Sequence, residues 1–293
     1  MREQDLTIYG YRAGKDAKYW SYALRERMAR DVQKITVPTA DTGLVDAYIY
    51  RPEGTQGPLP VVFDLHGGGM VLGNWQLDSP YARRIAQENH CAVIVVDYAL
   101  APEFQYPKPV YGTWQALHAI LQRAEELDLR TDSVSLLGHS AGGYLALAVA
   151  LLNRDEMGQA LPIGRIVGNY GIYQQQADPA ARSVVDASKA ISNSRMTEYL
   201  NWYFEDLSRI DEPYASPLQA DLRGMPKTLA IAAGYDSLLE ETRRYVEKAQ
   251  AAGCDIELLV FDGCRHGFTH DAFGEYSPQE AEEAWQKIMA FLK

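Results

Sequence analysis

The chain has 293 residues, and 47% of them are hydrophobic, enough to bury one large core. Its 39 acidic and 28 basic residues leave a formal net charge of −11. That balance argues against a nucleic-acid partner, which needs a basic face, and against docking on an anionic membrane surface.

The first residues, Met1-Arg-Glu-Gln-Asp-Leu6, are polar and lack the apolar centre of a secretory signal. No run is long enough to span a bilayer. Cys91, Cys254 and Cys264 form neither a disulfide framework nor a metal-ligand spacing. A cytoplasmic, reducing location is therefore expected.

In chain order, residues 1–33 carry an aromatic helical pattern around Tyr19, Trp20 and Tyr22. Strands are expected over Lys34–Pro38 and Leu44–Tyr50, the second alternating as a half-exposed antiparallel strand does. Short continuous apolar runs follow at Val61–Leu65, Ala92–Asp97, Val134–Leu137, Arg165–Tyr170, Thr228–Ala233 and Glu257–Phe261. Such runs suit parallel strands covered on both faces. Between them lie helical patterns at Ser79–Glu88, Val110–Leu127, Ala141–Leu152, Glu240–Ala252 and Pro278–Leu292. Strands alternating with helices imply a doubly wound α/β sheet. An insert at 178–210, with Tyr199, Trp202, Tyr203 and Phe204, breaks the rhythm. We expect it to pack with residues 1–33 as a cap over the carboxyl ends of the strands, where ligands bind in such sheets. The whole chain, 1–293, then reads as a single domain.

Gly138-His-Ser-Ala-Gly142 sits between an apolar strand and an apolar helix. Small residues around a serine on a sharp strand-to-helix turn form a nucleophile elbow, which would present the Ser140 hydroxyl and the Ala141 N–H to a site. A serine hydroxyl needs a neighbouring base. Of six histidines, only His266 and His270 follow Ser140, in the serine–acid–histidine order of such hydrolases. His266, in Cys264-Arg-His-Gly-Phe268 beyond the last strand, is favoured by order and loop position. His139 reads as a local hydrogen-bonding residue, and His90 and His118 as surface or packing residues. The base needs an acid. Asp236 lies at the end of the strand Thr228–Ala233, and Asp262 is its rival, only four residues before His266. Glu240 and Glu241 are expected in the following helix, facing solvent or its N-terminus. His66-Gly-Gly-Gly69 follows another strand, and its glycines can present N–H groups to a developing oxyanion. His66 reads as an anchor for that loop. No Gly-Lys-Ser/Thr follows, so a phosphate loop does not fit.

From about Val61 onward these motifs resemble the hormone-sensitive-lipase-like branch of the α/β-hydrolase superfamily, nearest the bacterial acetyl-esterase type. The resemblance rests on His66-Gly-Gly-Gly69, Asp97-Tyr-Ala-Leu-Ala-Pro-Glu103 with Tyr106-Pro107, Gly138-His-Ser-Ala-Gly-Gly143, Asp236-Ser-Leu-Leu239 and His266-Gly-Phe268. It implies an α/β-hydrolase fold: a mostly parallel eight-stranded sheet flanked by helices, with a small helical cap. It also implies a triad of Ser140, Asp236 and His266, and an oxyanion hole from the N–H groups of Gly68, Gly69 and Ala141. Asp97 and Glu103 resemble the family's brace for the active-site loops. The chain departs from the family pattern at His139, Ser237 and Ala99. The function expected is a serine carboxylesterase for short-chain acyl esters, acetyl to butyryl, working through an acyl-enzyme. Acetylated sugars or aryl esters are the alternative substrates. A catalytically silent ligand-binding protein on the same fold is the alternative of another class. Trp75, Tyr173 and Trp202 are candidate substrate contacts. No metal or organic cofactor is expected. The expected partner is a small-molecule ester, and a homo-oligomer is allowed.

Overall fold

The computed structural model describes residues 3–19, 32–73 and 75–293. The N-terminal helix α1 (Glu3–Tyr19) leads into the strands β1 (Gln33–Thr39), β2 (Gly43–Tyr50) and β3 (Leu59–Leu65). Then come α2 (Ser79–Asn89), β4 (Ala92–Asp97), α3 (Lys108–Gln122), β5 (Leu129–His139) and α4 (Ala141–Asp155). The chain finishes with β6 (Ile163–Asn169), α5 (Asn193–Tyr203), β7 (Lys227–Ala233), α6 (Leu239–Ala251), β8 (Ile256–Phe261) and α7 (Pro278–Leu292). Trp20 and Tyr22 of the N-terminal aromatic pattern lie outside the described residues.

All eight strands join one sheet in the order β1-β2-β4-β3-β5-β6-β7-β8. β1 pairs antiparallel with β2, and β2 antiparallel with β4; every other pairing is parallel. The strand order reverses at β3. The chain steps from β3 to β4 on one side, then crosses back to lay β5 on the other. Such a reversal opens a crevice at the carboxyl ends of the two strands, where ligands bind. Leu65 ends β3 and His139 ends β5. The glycine loop and the serine elbow therefore leave the sheet side by side.

Period-two side-chain alternation divides the interior. Val61, Phe63 and Leu65 of β3 and Ile94 and Val96 of β4 belong to one apolar cluster. Val62, Val93 and Val95 belong to a second cluster on the opposite face. This corrects the expectation for β2. The strand is antiparallel, but Ala47 to Tyr50 are all buried, because Ala47 and Ile49 enter one cluster and Tyr48 and Tyr50 the other. Helix α4 is buried from Ala141 through Asn153, as an all-round apolar helix must be. The helix expected over Val110–Leu127 stops at Gln122 and continues as hydrogen-bonded turns to Leu129. Strand β5 starts earlier than its apolar run, because its first exposed polar residues extend beyond the core.

Within the insert, Ser192 caps α5 by accepting from Arg195 N at 3.3 Å. α1 packs against α5: the Tyr11 ring stacks on Trp202 with centroids 5.6 Å apart. The Tyr11 and Tyr199 hydroxyls are 2.7 Å apart. Arg12 holds both oxygens of Glu103, at 2.6 and 2.9 Å, and donates to the carbonyls of Val71 and Ala101. One arginine thus ties α1 to the chain just beyond the glycine loop.

Candidate active site

Ser140 stands at the junction of β5 and α4 with φ 54° and ψ −116°, a backbone region that disfavours side chains. The turn is possible because Gly138 and Gly142, two residues to either side, lack Cβ atoms. A Cβ on Gly138 would collide with the Gly142 backbone, and one on Gly142 with the Leu65 carbonyl. Ser140 N donates to Asn169 O at the end of β6, which fixes the turn.

Nε2 of His266 lies 2.8 Å from Ser140 Oγ, and Nδ1 of His266 lies 2.5 Å from Asp236 Oδ2. His266 keeps 18% of its side-chain exposure, while Asp236 keeps 1%. Asp236 Oδ1 also accepts from Leu238 N at 3.2 Å. Tyr235 N donates to Cys264 O, so the loops carrying the acid and the histidine are tied together. The rival Asp262 is exposed. Its backbone packs against Gly234 and braces the turn before Asp236.

Gly67, Gly68 and Gly69 wall the same cavity as Ser140 and His266. Gly68 and Gly69 have φ of 122° and 64°, which favours glycine at both positions. A Cβ on Gly67 would sit 3.4 Å from Ser140 Cβ, so the loop lies directly against the elbow. Ala141 is the first residue of α4, where a backbone N–H has no partner within the helix. His66 anchors the loop as expected, with Nδ1 2.7 Å from Gly67 O and its ring stacked on Tyr98.

The cavity measures about 320 Å³. Leu72, Leu77, Phe273, Tyr11 and Tyr199 supply apolar wall, and Lys189, Arg195 and Arg265 lie towards the insert. Trp75, Tyr173 and Trp202 do not line it, which corrects the expected substrate contacts. Trp75 stacks on Tyr48, with centroids 3.5 Å apart. Tyr173 is fully buried against Tyr245. Trp202 is spent on Tyr11, which takes the place at the wall expected of the tryptophan. Large aromatics gain most from full burial, so an aromatic near a site in sequence is often core instead.

Glu241 also departs from expectation. It is buried, forms an ion pair with Arg182 and accepts from the N–H groups of Tyr173 and Gln174. Burial lowers the Arg182 guanidinium to about 10, and the nearby Asp236 carboxylate works against that fall. No local motif marks Arg182, because its partners lie on other elements.

Below the serine lies a buried polar group of Asp64, Asp78, His139 and His270. His270, the rejected base, is 2.8 Å from Asp78 and 2.7 Å from the Tyr170 hydroxyl. Burial holds its imidazole well below the usual range and pushes the Asp78 carboxyl well above its own. For His139, burial opposes protonation, but Asp64 outweighs it and raises the imidazole.

A family model for the alpha/beta hydrolase fold matches residues 62–270. The chain belongs to the α/β-hydrolase-fold family. Its motifs place this hydrolase in the hormone-sensitive-lipase-like branch. It is 29% identical over 235 residues to an acetyl esterase of Salmonella schwarzengrund (strain CVM19633), covering 80% of this chain and 72% of that one. A hyperthermophilic esterase from the archaeon Pyrobaculum calidifontis is similar in structure, with a TM-score of 0.84, 28% identity, and 99% and 94% coverage of the two chains. A bacterial heroin esterase superposes with a TM-score of 0.83 at 28% identity, covering 98% of this hydrolase and 92% of that chain.

Proposed function

We propose that this carboxylic-ester hydrolase is a serine carboxylesterase that forms an acyl-enzyme and prefers short acyl groups. The observation that carries the reading is the unbroken chain Asp236–His266–Ser140, at 2.5 and 2.8 Å, opening onto a cavity beside a glycine loop. His266 Nε2 takes the Ser140 proton as Oγ attacks the ester carbonyl. Asp236 holds the tautomer and stabilises the imidazolium. The N–H groups of Gly68, Gly69 and Ala141 receive the oxyanion. His266 then protonates the leaving alcohol, and later takes a proton from the water that releases the acid.

The small-acyl preference rests on the cavity's size and on the aromatic wall that α1 and the insert 178–210 contribute, which we read as the cap. Tyr11, Tyr199 and Phe273 in that wall favour aryl alcohols as the second substrate reading. A silent binding protein would have no use for three catalytic groups in hydrogen-bond order. The three free cysteines accord with a cytoplasmic location.

The test is hydrolysis of 4-nitrophenyl esters from acetyl to dodecanoyl by the parent and by Ser140→Ala. We expect a burst of nitrophenol, rates falling beyond butyryl, and a loss of about 10³-fold or more in the variant. Retained turnover in a folded Ser140→Ala protein would remove the mechanism. A flat chain-length profile would remove the small-acyl reading alone.

A further inference from the structure

Four titratable side chains meet beside the elbow and take no part in the reaction above. Asp64 comes from β3, Asp78 from the residue before α2, His139 from the end of β5 and His270 from the loop after β8. Each is at least 98% buried. One ligating atom from each of Asp78, His139 and His270 lies within 4.8 Å of the others. Nε2 of His139 is 3.3 Å from Asp64 Oδ1, and Nε2 of His270 is 2.8 Å from Asp78 Oδ1.

The polar atoms here are poorly satisfied by protein. Among the described residues, both Asp64 oxygens, Asp78 Oδ2 and His139 Nε2 have no aligned hydrogen-bond partner. A buried carboxylate is costly unless it is paired or coordinates a metal. The His139–Asp64 pair is close, but it is not aligned as a hydrogen bond. Asp64 sits against His139, outside the mutually close group of Asp78, His139 and His270. Two carboxylates neutralise a divalent charge, and two neutral imidazoles add none.

The surrounding contacts suit ligating histidines, whose second ring nitrogen is normally held by a hydrogen bond. His270 Nδ1 is 2.7 Å from the Tyr170 hydroxyl and 3.0 Å from Thr269 Oγ1. His139 Nδ1 is 3.0 Å from the Asn169 side-chain amide. Asn169 Oδ1 has no partner as oriented. With the amide turned over, that oxygen accepts from His139 Nδ1–H and leaves Nε2 free to ligate.

We propose that Asp78, His139 and His270 bind one divalent first-row transition cation, with the Asp64 carboxylate beside His139 as the second negative charge; zinc best suits two imidazoles and a carboxylate. Asp78, His139 and His270 wall the active-site cavity, so the cation enters from there. Its role is a clip. It joins the strand before Ser140, the start of α2 and the loop that follows His266, and Asp64 against His139 adds the strand before the glycine loop. Spacing in sequence does not reveal the set, because its members are spread from residue 64 to residue 270.

The test uses the full chain, stripped with a chelator and then exposed separately to zinc, cobalt and manganese. Metal retained after desalting is measured by mass spectrometry, and melting by calorimetry. We expect about one zinc per chain and a rise of about 5 °C in melting temperature at zinc 100-fold above Kd. Cobalt should give the visible absorption of a tetrahedral site. Asp64→Asn and Asp78→Asn should each weaken zinc binding 10- to 100-fold or more, while the exposed His90→Ala control binds as the parent does. If the Asn variants do not fold, the parent's cobalt spectrum and melting shift still decide. A folded parent that retains none of the three metals and melts unchanged would overturn the proposal and leave four groups balanced by protons. Zinc held equally well by folded Asn variants would also overturn it.

Discussion

Gly142 at the start of α4 passes so close beneath the Leu65 carbonyl that a Cβ would overlap its oxygen. The contact joins the helix after the nucleophile to the strand before the glycine loop. It sets how near Ser140 stands to Gly67–Gly69. Gly142→Ala must push the two apart, at a cost of about 3 kcal/mol. Thermal unfolding would show it, and an unchanged melting temperature would mean the elbow yields easily. Ser140 itself is strained at φ 54°. Ser140→Gly should therefore be about 1 kcal/mol more stable than Ser140→Ala.

Asp236→Asn should leave the fold intact and lower kcat by a factor of ~10³ to 10⁴, since the amide favours the wrong His266 tautomer. Asp262→Asn, at an exposed position, should change kcat less than about threefold. Steady-state rates for both variants decide between the carboxylates. Greater damage from Asp262→Asn would reverse the assignment.

Tyr11 touches Trp202 and Tyr199 and lies under the Arg195 guanidinium, 3.8 Å from its ring centroid. Removing the ring opens one wall of the cavity. Tyr11→Ala should lower the acetyl-to-octanoyl rate ratio several-fold and cost about 1–2 kcal/mol of stability. If the ratio and the melting temperature both stay put, α1 is peripheral to substrate choice.

Asp97, at the end of β4, is raised to about 6, chiefly by burial and further by Asp46. Its folded value lies above its unfolded value of about 3.9, so the folded state favours the protonated form. The stability this adds is full below about pH 4 and is lost as pH rises through 6. Asp97→Asn cannot ionise. Relative to the parent, the variant should gain stability between pH 4 and 7 and then level off. Denaturant titrations across that range test the sign. A parent-to-variant difference independent of pH would show that Asp97 does not titrate there.

The local sequence determined those features whose physics is local. Apolar runs bounded by turn residues located six strands, because burial on both faces requires such runs whatever packs on them, and the two opening strands were legible beside them. Glycines at 138 and 142 marked the elbow, since a strand-to-helix turn leaves no room for Cβ atoms there. Chain order and strand-end position singled out Ser140, Asp236 and His266, and the fold brings those three side chains within hydrogen-bond distance. Only the tertiary structure decided which aromatics meet substrate. Trp75, Tyr173 and Trp202 were the expected contacts, yet packing against Tyr48, Tyr245 and Tyr11 takes them from the cavity wall, and Tyr11 and Tyr199 line it instead. The partners of Arg12, Arg182 and the buried Asp64–Asp78–His139–His270 group were equally hidden. Each of those contacts joins residues far apart in the chain, and their meeting depends on the strand reversal at β3 and on how helices and loops pack around it. No spacing within a short window carries that information.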